Sequence, residues 1–254
     1  MSEGSTVLIT GAARRVGRAI ALSLAELGCD LVLHYRSSER EMAATVEAAK
    51  SAARARGYVI HVEAMQADLN DLAAVERLGA TIAAQCEPGG PRRLAGIVHN
   101  ASSYGPSEFG AIRAEECLEH FRVNALAPLL LTQALARALT RAGGAVVFFS
   151  DIHALGRPRR RFAPYLMSKA ALTDCVATLA LELAPRVRVN GIAPGVIAWP
   201  EGSDPAEVAA YEARIPLGRP GTPDEAAQLV RWLLFEANYV NGEIIRLDGG
   251  RWLR

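Results

Sequence analysis

Tyr165 and Lys169, in Tyr165-Leu166-Met167-Ser168-Lys169, open a segment with helical spacing. Positions i and i+4 share a helix face, so the phenol and the ammonium point the same way. A nearby cation favours the phenolate, so the tyrosine pKa is expected to fall from its ordinary value of about 10. Tyr165 would then be a proton donor usable near neutral pH. Composition sharpens the pair. Of the 28 Lys and Arg residues, only Lys50 and Lys169 are lysine. The wide, planar guanidinium cannot replace a compact point charge, so a chain that otherwise writes arginine has kept lysine where chemistry would need it.

A second constellation lies near the start. The apolar run Val7–Thr10 leads into Thr10-Gly11-Ala12-Ala13-Arg14-Arg15-Val16-Gly17-Arg18. A glycine turn between a strand and a helix lets backbone approach a pyrophosphate, and the helix N-terminus offers free N–H groups and a positive dipole end. Gly11 and Gly17 are kept, but Arg15 stands where many dinucleotide binders place a middle glycine. The end of the second strand discriminates between cofactors, because an acid there binds a ribose 2′-hydroxyl and a basic group binds a 2′-phosphate. Asp30 precedes the apolar run Leu31-Val32-Leu33 and so falls at the strand's amino end, away from the ribose. The carboxyl end reads His34-Tyr35-Arg36-Ser37-Ser38, with no acid, one arginine and two hydroxyls. Arg15 is expected to converge there with Arg36, and guanidinium forks suit a phosphate dianion. NADPH is therefore favoured over NADH.

These groups need a scaffold, and the pattern supplies one. Strands are expected at Val7–Thr10, Asp30–His34, Tyr58–Glu63, Leu94–His99, Ala145–Ser150, Arg186–Gly191 and Glu243–Leu247. Helical spacing occupies Val16–Leu27, Glu39–Ala55, Leu72–Gln85, Glu115–Arg141, Ala163–Leu183 and Pro223–Phe235. The alternation implies βαβ units and a parallel sheet. Strands that are apolar throughout imply helices on both faces. With right-handed crossovers, the fold class is α/β: one Rossmann-like, doubly wound, seven-stranded parallel sheet in a single domain over residues 1–254. Ala198–Gly221, with Pro200, Pro205, Pro216 and Pro220, fits none of the long elements and reads as a substrate-covering insertion over the carboxyl edge of the sheet.

Composition excludes other roles. A net charge of +1 rules out a broad electrostatic footprint for nucleic acid or an anionic membrane. No stretch is apolar for the length of a membrane span. The start lacks the basic and long apolar regions of a signal peptide, so none is expected. Cys29, Cys86, Cys117 and Cys175 are too far apart for paired redox or zinc motifs, which fits reduced cysteines in the cytoplasm and no metal site.

Taken together the chain resembles the short-chain dehydrogenase/reductases. The resemblance rests on residues 10–17 (TGAARRVG), Asp68-Leu69, His99-Asn100-Ala101-Ser102, Asn124, the Tyr165/Lys169 pair, residues 189–195 (VNGIAPG) and Leu247-Asp248-Gly249-Gly250. It implies that Asp68 and Leu69 flank the adenine and that Asn100, Ala101 and Ser102 line the cofactor. It also implies that Asn124 holds a water of the proton relay and that Lys169 binds the nicotinamide ribose. Pro194, Gly195 and Val196 would shape the nicotinamide pocket. Gly11, Arg15, Val16, Gly17, His34, Tyr35, Arg36 and Ser37 complete the expected cofactor contacts.

Departures point to a subgroup. Most members carry a catalytic serine shortly before the tyrosine; here Asp151 takes that slot, with Ser150 as the lesser alternative. Aspartate there, Arg15 in the glycine turn and residues 34–38 (HYRSS) together resemble pteridine reductases, and the C-terminal Asp248–Arg254 resembles bacterial dihydromonapterin reductases. The implied reaction is NADPH-dependent reduction of a dihydropteridine C=N bond by Asp151, Tyr165, Lys169 and Asn124. Tyr104 would stack on the pterin, with Ser102, Asp151, Tyr165 and Trp199 also contacting it. The alternative is a carbonyl reductase such as a 3-oxoacyl carrier-protein reductase. The resemblance further implies a homotetramer whose tail, Arg251–Arg254, reaches a neighbouring site. His153 reads as a solvated loop residue. Arg157-Pro158-Arg159-Arg160-Arg161 reads as a solvated face, the alternative being a mouth that attracts an anionic substrate or an acidic carrier protein.

Overall fold

The computed structural model describes residues 4–199 and 202–254; Pro200 of the expected insertion lies outside them. The strands are β1 (Thr6–Thr10), β2 (Asp30–Tyr35), β3 (Val62–Gln66), β4 (Leu94–His99), β5 (Ala145–Phe149), β6 (Arg188–Pro194) and β7 (Ile244–Leu247). They form one seven-stranded sheet in the order β3-β2-β1-β4-β5-β6-β7, and every pair is parallel. The expected single-domain, doubly wound α/β architecture is present. Strand order reverses at β1/β4, which opens a crevice at their carboxyl ends.

The helices are α1 (Arg15–Ala25), α2 (Glu39–Ala55), α3 (Leu72–Gln85), α4 (Ala114–Phe121), α5 (Ala127–Ala142), α6 (Ala163–Glu182), α7 (Pro205–Glu212) and α8 (Pro223–Phe235). Side chains alternate across each strand, so β1 feeds two cores. Val7 and Ile9 pack with Leu31, Leu33, Ile20, Leu24, Val230 and Leu233 on the face of α1 and α8. Leu8 packs with Val32, Ile97, Leu131, Leu135 and Val176 on the face of α5 and α6. Each fully buried aliphatic side chain stabilises the fold by about 1.5–3 kcal/mol, which anchors the strand ends that carry the site.

Two of the expected strands depart from expectation by more than two residues at an end, and one expected helix is interrupted. β3 begins at Val62, because Val59 of the apolar run 58–60 is solvent-exposed while Tyr58 packs on Gly28. It is an edge strand whose side chains are half-exposed, so burial does not mark its ends. β6 runs through Pro194 and carries Pro194-Gly195 to the sheet edge. The expected helix 115–141 is interrupted by a π-helical turn at Arg122–Leu126, centred on Asn124.

The insertion holds the short helix α7, started by Asp204, whose carboxylate accepts the Ala206 N–H at 3.0 Å, and by Pro205 at its first position. Beyond it, Thr222 and Glu225 form a capping box that starts α8. No helix among the described residues is long and apolar enough to cross a membrane.

Candidate active site

The glycine turn is held rigidly against β4. Thr10 Oγ1 accepts the N–H groups of both Asn100 and Ala101 at 3.1 Å. Asn100 Nδ2 donates to the carbonyls of Thr10 and Gly11 at 3.1 and 3.0 Å. Gly11 has φ +66°, and a Cβ on it would sit 2.9 Å from Ala101 Cα. A Cβ on Gly17 would lie 2.2 Å from the Gly11 carbonyl oxygen. Both positions therefore require glycine, and the backbone is left bare to the crevice.

His34, at the end of β2, is buried. Its Nδ1 accepts the Gly11 N–H at 3.2 Å and its Nε2 lies 3.0 Å from the Ala67 carbonyl, so Nε2 carries the proton. Burial pushes its pKa down to about 4, against smaller opposing effects of the Ala67 carbonyl and Asp68. A neutral imidazole thus fastens the glycine turn. Arg36 is exposed and forms no ion pair among the described residues. Asp30 is confirmed at the amino end of β2, where its carboxylate accepts the His61 N–H at 2.7 Å.

At the other wall, Tyr165 is buried and its hydroxyl donates to Asp151 Oδ2 at 2.9 Å. Asp151 Oδ1 accepts the His153 N–H at 2.7 Å, which fixes the carboxylate at the end of β5. Lys169 is buried, and its Nζ donates to the Phe149 carbonyl at 2.7 Å. Burial lowers its pKa to about 8, opposed by Asp151. The expected lowering of the Tyr165 pKa is not found. Burial first, then the Asp151 charge and hydrogen bond, push it well above 10. The ammonium is turned to a strand carbonyl while a carboxylate meets the phenol, so the acid adds to the effect of burial and the lysine does not offset it. Ser150 also lines the cleft, with its hydroxyl paired with that of Thr173.

A cleft of about 760 Å³ joins the two walls. It is lined by every site residue expected from the sequence except Asn124. Asn124 is buried behind it: Oδ1 accepts from the Ser102 hydroxyl and Ser103 N–H, and Nδ2 donates to the Ser103 carbonyl and Ser168 hydroxyl, all at 2.8–3.0 Å. With its side chain saturated by protein groups, Asn124 holds the Ser102–Ser103 loop against α6 and has no side-chain site left for the expected water. Arg15, at φ +51°, donates to the Ala198 carbonyl at 2.8 Å, so the insertion engages one nitrogen of its guanidinium, and it lines the same cleft as Arg36.

Aromatic groups crowd the substrate end. Tyr104 is half-exposed and meets Tyr165 edge-on, with ring centroids 4.9 Å apart. Trp199 meets Tyr211 of α7 edge-on at 5.4 Å and donates its indole N–H to Glu212 at 2.8 Å. Tyr211 and Arg159 also line the cleft; Tyr211 was not expected there, and Arg159 matches the alternative reading of residues 157–161 as the site mouth rather than the favoured solvated face. The Asp204-Pro205 start of α7 was the available signal for Tyr211; eight residues were too few to show a helical period.

A family profile described as enoyl-(acyl carrier protein) reductase matches residues 11–251. An uncharacterized oxidoreductase of Methylorubrum extorquens is 38% identical, covering 98% of each chain. The 3-oxoacyl-[acyl-carrier-protein] reductase of Aggregatibacter actinomycetemcomitans is 33% identical, covering 98% of this chain and 99% of that one. The crystal structure of the FolM alternative dihydrofolate reductase 1 from Brucella canis, complexed with NADP, is 31% identical with a TM-score of 0.82, covering 98% of this chain and 95% of that one. With its parallel sheet, glycine turn and Tyr165/Lys169 pair, the chain belongs to the short-chain dehydrogenase/reductase family of oxidoreductases.

Proposed function

We propose that the protein is an NADPH-dependent reductase that converts a dihydropteridine, of the dihydromonapterin, dihydrobiopterin or dihydrofolate type, to its tetrahydro form. The observation that carries the reading is the carboxylate of Asp151 on the phenol of Tyr165, beside the half-exposed ring of Tyr104. The likeness to an NADP-bound alternative dihydrofolate reductase supports it. The likeness to a 3-oxoacyl carrier-protein reductase supports the carbonyl alternative, but the Ser150 hydroxyl that would serve a ketone oxygen is paired with that of Thr173.

The residues present fit the cofactor. The bare turn at Gly11 and Gly17 would take the pyrophosphate, Arg36 and Ser37 the 2′-phosphate, Asp68 and Leu69 the adenine, and Lys169 the ribose beside the nicotinamide. NADPH supplies a hydride to the carbon of the C=N bond. The proton must reach the adjacent nitrogen, and Tyr165 is its donor. A high pKa keeps the phenol protonated. A ring N–H of the substrate can take the place of the phenol on Asp151 Oδ2, which frees the Tyr165 O–H to donate. Tyr104 would stack on the flat heterocycle, with Ser102 and Trp199 at its edges. The assembly is proposed to be a cytoplasmic homotetramer; α4 and α6 expose Leu118, Phe121 and Met167.

The test is to follow NADPH consumption with dihydropterins and, separately, with 3-oxoacyl thioesters. Turnover of a dihydropterin is the expected result. Turnover of thioesters alone would replace the reading with the carbonyl one.

A further inference from the structure

The arginines around Arg157 do not form a free, solvated face. Only Arg161 finds an acid there, Glu108 at 2.8 Å. Arg157 is half-buried and donates to the Trp252 carbonyl at 2.8 Å, which ties the C-terminal turn to this loop. Arg159 lies with its Cζ 4.0 Å from the centroid of Phe162 and donates to the hydroxyl of Tyr104 at 3.1 Å.

Two more arginines arrive from other parts of the chain. Arg214 follows α7, and Arg251 opens the C-terminal turn. Their Cζ atoms lie 5.5 and 5.0 Å from the centroid of the same ring, Tyr211. Arg251 is buried, donates to the main-chain oxygen of Arg254, and its Nε has no hydrogen-bond partner. Among the described residues, Arg157, Arg159, Arg214 and Arg251 form no ion pair with an Asp or Glu side chain. The nearby acids are occupied. Glu212 accepts the Trp199 indole N–H, Asp248 accepts the N–H groups of Gly250 and Trp252, and Asp151 accepts the Tyr165 hydroxyl and the His153 N–H.

Four guanidiniums without a carboxylate side chain, one of them buried, repel each other, and a chain of net charge +1 has no general surplus that would put them there. Burial, then Arg157 and Arg214, hold the Arg251 pKa down. Arg159 and Tyr211 line the cleft, so the positive field opens into the substrate site. We propose that this wall is a subsite for an anionic group, a carboxylate or a phosphate, carried by the substrate, with Arg159 as its direct ligand and Arg214 and Arg251 supplying the field behind Tyr211. The proposal rests on the pteridine reading for the ring that Tyr104 would hold. A substituent running past the Tyr104 hydroxyl meets Arg159, so the substrate class narrows to pteridines with an anionic tail.

The experiment compares dihydrofolate, whose tail is a dicarboxylate, and a dihydroneopterin phosphate with dihydrobiopterin, whose tail is neutral. The readout is the ratio of kcat/KM between anionic and neutral substrates. Arg159→Gln should lower that ratio by about tenfold to a hundredfold, the worth of a charge-assisted hydrogen bond. Arg214→Gln, an exposed position that cannot endanger the core, should lower it less and abolish part of its salt dependence. Whichever anionic substrate loses more identifies the group. Ratios unmoved in both variants would overturn the subsite and leave the pteridine reading standing. In parallel, p-aminobenzoylglutamate and inorganic phosphate are titrated into the NADP complex by calorimetry. Binding that Arg159→Gln weakens, with no pterin turned over, would keep the subsite and refute the pteridine reading. No binding of either, together with no pterin turnover, would overturn both.

Discussion

The two walls of the cleft solve different problems. On the glycine-turn wall the turn itself is held by backbone and neutral groups: Thr10, Asn100 and His34 hold Gly11 in place, and each of these hydrogen bonds is internal to the protein. The opposite wall is built from charge. Burial and then Asp151 raise the pKa of Tyr165, Lys169 is buried against a carbonyl, and arginines gather around Tyr211 without an ion pair to an Asp or Glu side chain among the described residues. A turn fastened by its own internal hydrogen bonds can receive a phosphate chain without rearranging. A wall whose arginines around Tyr211 have no ion pair with an Asp or Glu side chain among the described residues is poised to change when an anionic ligand arrives. On the proposed reading, the first wall would set where the cofactor lies and the second would decide what reacts there.

The largest expected effect breaks the charged wall at its centre. Tyr165→Phe keeps the ring, its edge-on contact with Tyr104 and the buried volume, and removes only the hydroxyl proposed as proton donor. Turnover should fall by about a thousandfold while the dissociation constant for NADPH stays near the wild-type value, because general acid catalysis is worth roughly 10²–10⁴. Steady-state kinetics with fluorescence titration of NADPH measures both. Wild-type turnover in the variant would remove Tyr165 from the chemistry.

The contrast also explains what the sequence could tell. The glycine-turn wall was legible because backbone geometry writes itself into residue type: Gly11 and Gly17 are the residues that avoid collision. The parallel sheet was legible for the same kind of reason, since strands such as β1 and β5 are buried on both faces and read as apolar throughout. Tyr165, Lys169 and Asp151 were legible as types and spacings, but the direction of the Tyr165 shift was not, because it depends on which group the phenol meets. Spacing places Lys169 one turn away; only the fold shows its Nζ on Phe149 and the carboxylate on the phenol. The arginine wall was illegible as a unit. Arg159, Arg214 and Arg251 come from three separated segments, and α7 was too short to announce itself.

A second prediction probes the neutral wall through pH. The His34 pKa is pushed by burial to about 4, and that of His99, buried under Phe148, to about 3. In the unfolded chain both take up a proton near 6.5, so the unfolded state binds more protons between pH 6.5 and 4. Stability is therefore fully present above pH 6.5 and is lost as pH falls toward 4. His34 alone accounts for up to about 3 kcal/mol of that loss. Urea unfolding at several pH values should show the slope, and His34→Gln should flatten it. A slope unaltered in the variant would mean that the glycine turn does not depend on a neutral imidazole.

The smallest effect sharpens the comparison most, because it separates two arginines that the sequence grouped together. Arg36 is exposed at the end of β2 without an acidic partner among the described residues, whereas Arg15 is engaged by the Ala198 carbonyl on the insertion side. Arg36→Ala should raise KM for NADPH about tenfold and leave KM for NADH nearly unchanged, since only the phosphorylated ribose loses a charge-assisted hydrogen bond. Arg15→Ala should shift that preference far less, because its guanidinium is held by the segment that carries Trp199. Its effect should fall instead on KM for the second substrate. Measuring KM for both cofactors and for the pterin in each variant decides it. Equal loss of NADPH preference in the two variants would mean that Arg15 leaves Ala198 for the phosphate when cofactor binds, and that the two walls are joined through this one side chain.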